Sequence, residues 1–172
     1  DLLLTSQWDF GRSRASLNIA TRNDDKSIIR GFYAPSQMRY YARMQTDNVN
    51  MSLLDPLLKG VISETEGLAK VDLTFSGTGR DAELSGEIAV RDLATKVDYT
   101  NCRYSAPSAT IQVKNNKLIA TDVPIFDTNN REGQLSLDLS LAHLSNIEYN
   151  VGLRVNNMQV LNTTKDNNPM FY

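Results

Sequence analysis

The chain is organised by alternation of apolar and polar residues. From Gly133, the residues Leu135, Leu137, Leu139 and Leu141 alternate with Gln134, Ser136, Asp138 and Ser140. A period of two puts the leucines on one face of a strand and the polar residues on the other. The pattern returns at Ile147, Tyr149, Val151, Leu153 and Val155, separated by Glu148, Asn150, Gly152 and Arg154. The stretch from Ala142 to Asn146 has the length of a hairpin connection. Two adjacent strands, each apolar on one side only, predict antiparallel sheet.

Shorter alternating runs fill the rest of the chain. They fall at Ala15, Leu17 and Ile19; at Met38, Tyr40, Ala42 and Met44; at Ala69, Val71, Leu73 and Phe75; at Leu84, Ile88 and Val90; and at Ala109, Ile111 and Val113. Turn-forming groups separate them: Arg22-Asn23-Asp24-Asp25, Gly77-Thr78-Gly79, Asn115-Asn116 and Asp127-Thr128-Asn129-Asn130. Strand plus turn recurring at roughly ten-residue intervals predicts an all-β sandwich, barrel or extended groove. Gly86, inside a strand pattern, marks a bulge or a bend. Alternation fails at Ile28-Ile29 and between Ile119 and Ile125, where the inward face is left open.

One segment has a different period. In Ser52-Leu53-Leu54-Asp55-Pro56-Leu57-Leu58-Lys59-Gly60 the leucine pairs are spaced as on a helical face. Ser52 with Asp55 resembles a capping box, Pro56 suits a first turn, and Gly60 suits a C-terminal stop. The expectation is one short helix of about two turns, held by tertiary packing.

Composition narrows the functional classes. Hydrophobic residues make up 41% of the 172 residues and charged residues 22%, which describes a folding chain. Lys plus Arg number 18 against 20 Asp plus Glu, a net charge of -2. That balance argues against a nucleic-acid partner. It also gives no polybasic cluster for anionic lipid headgroups, so any lipid contact is expected to be with acyl chains. No apolar run approaches the roughly 18 residues of a membrane-spanning helix. The start on Asp1-Leu2-Leu3-Leu4 suggests a piece excised from something longer.

Candidate chemistry is sparse. Cys102 is the single cysteine, so neither an intrachain disulfide nor a cysteine-based zinc site can form. His143 is the single histidine, placed in a hairpin loop, and no Gly-x-Ser-x-Gly elbow accompanies any serine. Gly77-Thr78-Gly79 lacks the rest of a phosphate cradle, and Asp122 to Asn130 lacks calcium-loop spacing. Asn162-Thr163-Thr164 matches a glycosylation acceptor, a pattern common by chance. Tyr40-Tyr41 and Phe32-Tyr33 are weighed as stacking platforms against ordinary strand residues, the commoner role. No catalytic constellation, cofactor or metal site emerges, and the chain reads as non-enzymatic.

An ordered set of short motifs over Leu53 to Tyr172 resembles the TamB-type translocation and assembly module family of the AsmA-like superfamily. They are Leu54-x-x-Leu57-Leu58-x-Gly60-x-Ile62-Ser63, Gly67-Leu68-Ala69, Phe75-Ser76-Gly77-Thr78 leading into Leu84-Ser85-Gly86-Glu87-Ile88, and Lys96-Val97-Asp98-Tyr99. Tyr104, Phe126-Asp127, Val160-Leu161-Asn162-Thr163-Thr164-Lys165-Asp166-Asn167 and Phe171-Tyr172 follow. One departure is Asp81-Ala82-Glu83, where the family often has a proline before the Leu-x-Gly step. Residues 1–51 resemble the family's repetitive strand region, and 52–172 its β domain, in one continuous structure.

The resemblance implies a β-taco: a long antiparallel sheet folded into a trough with an apolar interior. It implies a periplasmic location, an inner-membrane anchor outside this chain, and an Omp85-type outer-membrane barrel as partner through other regions. The implied roles are phospholipid transport to the outer membrane and assembly of proteins there. Groove-lining residues would be Val71, Leu73, Phe75, Ile88, Val90, Ile111, Val113, Leu135, Leu137, Leu139, Leu141, Ile147, Tyr149, Val151, Leu153 and Val155, with phospholipid acyl chains as ligand. Each methylene buried there would contribute roughly 0.8 kcal/mol. Two other readings stay open: a chaperone-like module that captures strands by augmentation, and a carbohydrate-binding or adhesion sandwich with Trp8 and the tyrosines on an exposed face.

Overall fold

A computed structural model describes residues 2–21, 27–141 and 148–164. The strands are β1 (Leu2–Asp9), β2 (Arg14–Thr21), β3 (Ser27–Ala34), β4 (Arg39–Asn50), β5 (Ile62–Thr78), β6 (Asp81–Val97), β7 (Cys102–Lys114), β8 (Lys117–Asp127), β9 (Glu132–Ser140) and β10 (Glu148–Val155). They form a single sheet in sequence order, every neighbour antiparallel. Extensive strand contacts run only between ladder neighbours. The protein is therefore an all-β, open antiparallel sheet, with neither the facing layers of a sandwich nor the closure of a barrel. The β4–β5 ladder joins the two sequence regions on either side of residue 51.

The chain exposes 11806 Å², where a compact monomer of 19.2 kDa would expose roughly 8,400 Å². Buried apolar residues are few and small. Ala106, Ala120, Val123 and Ile125 gather with Met158, and Ala69, Val71 and Val90 form a second cluster. Val113 is the one side chain among the described residues with less than 2% of its surface exposed.

Tight turns follow the sequence chemistry. Asn115 and Asn116 have φ of 50° and 63° and connect the paired Lys114 and Lys117. Two consecutive positive φ values match the twist of a two-residue hairpin. Asn116 also extends the sheet edge: its Nδ2 donates to the Ala82 carbonyl at 2.7 Å, and its Oδ1 accepts from Leu84 N at 2.6 Å. The turn expected at Gly77-Thr78-Gly79 starts later, since Gly77 and Thr78 remain in β5 and Thr78 pairs with Asp81. Met38, expected in a strand, has φ of 49° and closes a 3-10 turn over Pro35–Gln37. The Arg22–Asp25 turn lies outside the described residues.

The expected helix over residues 52–60 does not form. A 3-10 turn covers only Met51–Leu54, followed by turns in which the Leu54 carbonyl accepts from both Leu57 N and Leu58 N. Pro56 has no N–H for the Ser52 carbonyl, and its ring would clash with that carbonyl in a continuing helix. Ser52 O instead accepts from Asp55 N at 3.2 Å. The capping box is also redirected: Asn50 Oδ1 caps Ser52 N, and the Asp55 carboxylate accepts from Thr65 N on β5. Leu53, Leu57 and Leu58 stay exposed, so no packing holds a helical face together.

Gly86 keeps its ladder pair with Leu73, so it is no bulge. Its φ is +136°, and a Cβ there would lie 2.1 Å from the Asp72 carbonyl oxygen. Backbone of β5 and β6 thus meets where only glycine fits. Gly86→Ala is expected to destabilise the chain by about 3 kcal/mol in urea unfolding. Gly60→Ala, at φ +84° with no atom within 4 Å, should cost only about 1 kcal/mol. Equal costs would mean that the β5–β6 approach relaxes freely.

Candidate functional site: a continuous apolar face

Residues paired across an antiparallel ladder point to the same side of the sheet. Tracing the pairs across the sheet gives one apolar face that never changes side. Leu4 pairs with Ile19, Ile19 with Ile29, Ile29 with Met44, Met44 with Leu73, and Leu73 with Gly86. Next to that line, Val71 pairs with Ile88 and Ile88 with Ile111; farther on, Val113 pairs with Leu118, Leu118 with Leu139, and Leu139 with Tyr149. The opposite face is mostly polar: Asn18, Arg30, Arg43, Thr74 and Ser85 follow one another in a single row.

This side persists although four of the ladders shift register. Apolar-face residues step by three instead of two at Thr46–Val49 in β4, Val90–Leu93 in β6, Ala106–Ala109 in β7 and Ala120–Val123 in β8. β5 has two register shifts between Ser63 and Leu68. The register shifts in the β2–β3, β4–β5, β5–β6 and β8–β9 ladders are β-bulges, which restore the facing and bend the strand, whereas β6 and β7 keep a constant register with each other. Asp92 (φ 51°), Asp122 (φ 49°), Glu64 (φ 53°) and Gly67 (φ 119°) take the left-handed positions in these steps. The β7–β8 ladder has no pairs between Ser105–Phe126 and Gln112–Ile119; Pro107, which carries no N–H, lies in that stretch.

Of the expected groove residues, Val71, Leu73, Phe75, Ile88, Val90, Ile111, Val113, Leu135, Leu137, Leu139, Tyr149, Val151, Leu153 and Val155 all share this face. Leu141 lies just past β9, its N–H donating to Asn116 O at 2.7 Å. Ile147 and His143 are outside the described residues. Exposure is graded. Val113 and Val90 are buried in the middle, whereas Tyr149 is 74% and Val151 54% exposed at the β10 edge. The other edge is similar, with Leu2, Leu4 and Trp8 exposed. The dipeptides Tyr40-Tyr41 and Phe32-Tyr33 are each split between faces. Tyr40 stacks on Phe75 on the apolar side (5.2 Å), and Phe32 on Tyr41 on the polar side (5.9 Å).

Among the described residues, the apolar face is crossed by one strap, the chain after β10, which the alternation gave no means to foresee. Met158 is buried against Ala106, Ala120, Val123 and Ile125, and Gly133 leaves room for its sulfur. Asp127 holds the strap: Oδ2 accepts from Gln159 N at 2.9 Å, while Oδ1 accepts from Asn129 N and Arg131 N at 2.8 and 2.9 Å. These N–H donors, Gln159 foremost, keep the Asp127 carboxyl below the usual carboxylate range. Tyr104 Oη donates to Gln159 O at 3.0 Å. Burial, with the Cys102 thiol beside it, pushes the phenol up to about 12, so it remains a donor at neutral pH. Asn162 N donates to Thr100 O, and Arg131 to Asn157 O.

No protein-family model matches the chain, and no curated protein or solved structure is detectably similar to it. The site must therefore be judged on its own chemistry. No helix among the described residues is long and apolar enough to cross a membrane, and no group of three or more His, Cys, Asp or Glu side chains there could hold a metal. What the described residues present is a continuous apolar area.

The two Asp127 oxygens give a sharp test of the strap. In Asp127→Asn, an amide oxygen kept toward Asn129 and Arg131 turns the NH2 group against Gln159 N–H, donor to donor. Hydrogen-exchange protection of the Gln159 amide should fall at least about tenfold, with protection of β5 and β6 unchanged. Because folding depresses the Asp127 pKa, its contribution is present above the ordinary carboxylate range, near pH 4. It is lost as pH falls below that range toward the folded value, and the variant should lack this acid-dependent loss.

Proposed function

We propose that the chain is a non-catalytic segment of a TamB-type, envelope-spanning β-groove protein. It offers phospholipid acyl chains an apolar path toward the outer membrane and supports protein assembly there. In this reading it works in the periplasm, anchored in the inner membrane by a segment elsewhere in the protein. An Omp85-type barrel is engaged through other regions.

The observation that carries the reading is the unbroken apolar face over ten strands, left open at both edges. Such a surface is far larger than the scattered exposed apolar residues of ordinary soluble domains. It has no convergent polar groups of the kind that fix a small substrate. Acyl chains need no more than that: burying methylenes releases water without directional contacts. The ordered motifs resembling the TamB family support the same assignment.

Capture of client strands is a second reading, favoured by the sheet edges. β1 and β10 each have a single ladder partner, and every residue of β10 is exposed. Such an edge can take up an extended segment by backbone pairing.

Photo-crosslinking groups at Val151 and Leu153 in the full-length protein separate these readings. Phospholipid adducts are expected at both, and not at Asn150 and Arg154 on the opposite face of the same strand. Equal lipid adducts at all four positions, or none at Val151 and Leu153, would contradict the lipid path. Protein adducts without lipid would favour strand capture.

A further inference from the structure

We propose that the polar face of β2–β4 is a docking surface for the anionic phospholipid headgroups of a membrane leaflet. In one row of this face Ser16, Phe32 and Tyr41 are paired neighbours. Arginines lie on both sides of the aromatic pair. Arg30 and Arg43 pair directly one step along the strands; Arg39 and, at the start of β2, Arg14 lie one step the other way.

Several of these charges are held at a cost. Like charges directly opposite each other across a ladder repel, and Arg30 faces Arg43. Only Arg43 is neutralised, by the Asp72 carboxylate at 2.9 and 3.0 Å. Arg14, Arg30 and Arg39 have no carboxylate partner among the described residues. The Arg14 guanidinium lies 5.2 Å over the Phe32 ring, and its Nε is buried without a hydrogen-bond partner. Ring stacking orients this fork while leaving its donors unsatisfied.

Guanidinium forks suit phosphate oxygens, which they can bind bidentately. The strands concerned are interior to the sheet, so there is no free edge for an acidic peptide to pair with. A chain with net charge -2 also lacks the long basic stripe that a nucleic acid requires. An array of phosphates side by side, as in a leaflet, matches three unpaired forks on one face of the sheet. The arginines escape a linear scan because they are spread over β2, β3 and β4.

The test is cosedimentation of the whole chain with vesicles of phosphatidylglycerol mixed into phosphatidylcholine, and with phosphatidylcholine alone. Binding is expected only to the anionic vesicles, weakening as salt rises. The double variant R30Q/R39Q should bind at least about tenfold more weakly. Its Tm should stay the same or rise, because the Arg30–Arg43 repulsion is removed. K114Q/K117Q, at the β7–β8 turn, should bind like the parent chain. Equal binding to both vesicle types, equal weakening in K114Q/K117Q, or a marked fall in the Tm of R30Q/R39Q would overturn the proposal. So would retention on a polyglutamate resin without vesicle binding.

Discussion

Everything in this protein depends on the facing of side chains across antiparallel ladders. Paired residues share a side, and successive residues alternate. A single misplaced residue would therefore turn the rest of a strand over. Here the apolar side is kept through nine ladders. Among the described residues it is met only locally, by the Met158 strap and by Met51 against Ala69, Val71 and Val90. In ordinary sheets that side is consumed by the core. In this one it remains at the surface, and small residues such as Ala69, Ala106 and Ala120 make up much of what is buried.

The bulges reconcile this constraint with curvature. Bulges bend a strand and increase its local twist, and sheets use them to curve. Lying in the β2–β3, β4–β5, β5–β6 and β8–β9 ladders, they let the sheet bend while Val71, Val90, Val113 and Ile125 stay on one side. Asp92 and Asp122 take the left-handed backbone positions, which Asp and Asn tolerate better than most residues.

Strand existence and the β9–β10 hairpin were legible because alternation there is unbroken: the pairs Leu137–Val151 and Leu135–Leu153 are those its spacing predicts. Ile119 to Ile125 was opaque for the opposite reason. A bulge between Ala120 and Val123 puts Ile119 on the polar side and Ile125 on the apolar side. The signal that could have shown this is the step of three between apolar residues, repeated on β6, β7 and β8. The leucine pairs around Pro56 misled, because helical spacing cannot outweigh a missing N–H and the absence of packing. The strap was invisible, since Met158 carries no periodicity, and so was the arginine surface, which is assembled from separate strands.

The central claim is that the face carrying Tyr149, Val151, Leu153 and Val155 is apolar and uncovered. Spin labels placed in turn at each position from Glu148 to Val155, with phospholipid present, test it directly. Collision with dissolved oxygen should rise at Tyr149, Val151, Leu153 and Val155 and fall between them, while a polar nickel reagent shows the opposite phase. Labels at those four positions that are immobile and closed to both reagents would contradict the account, because the face would then be a sealed core.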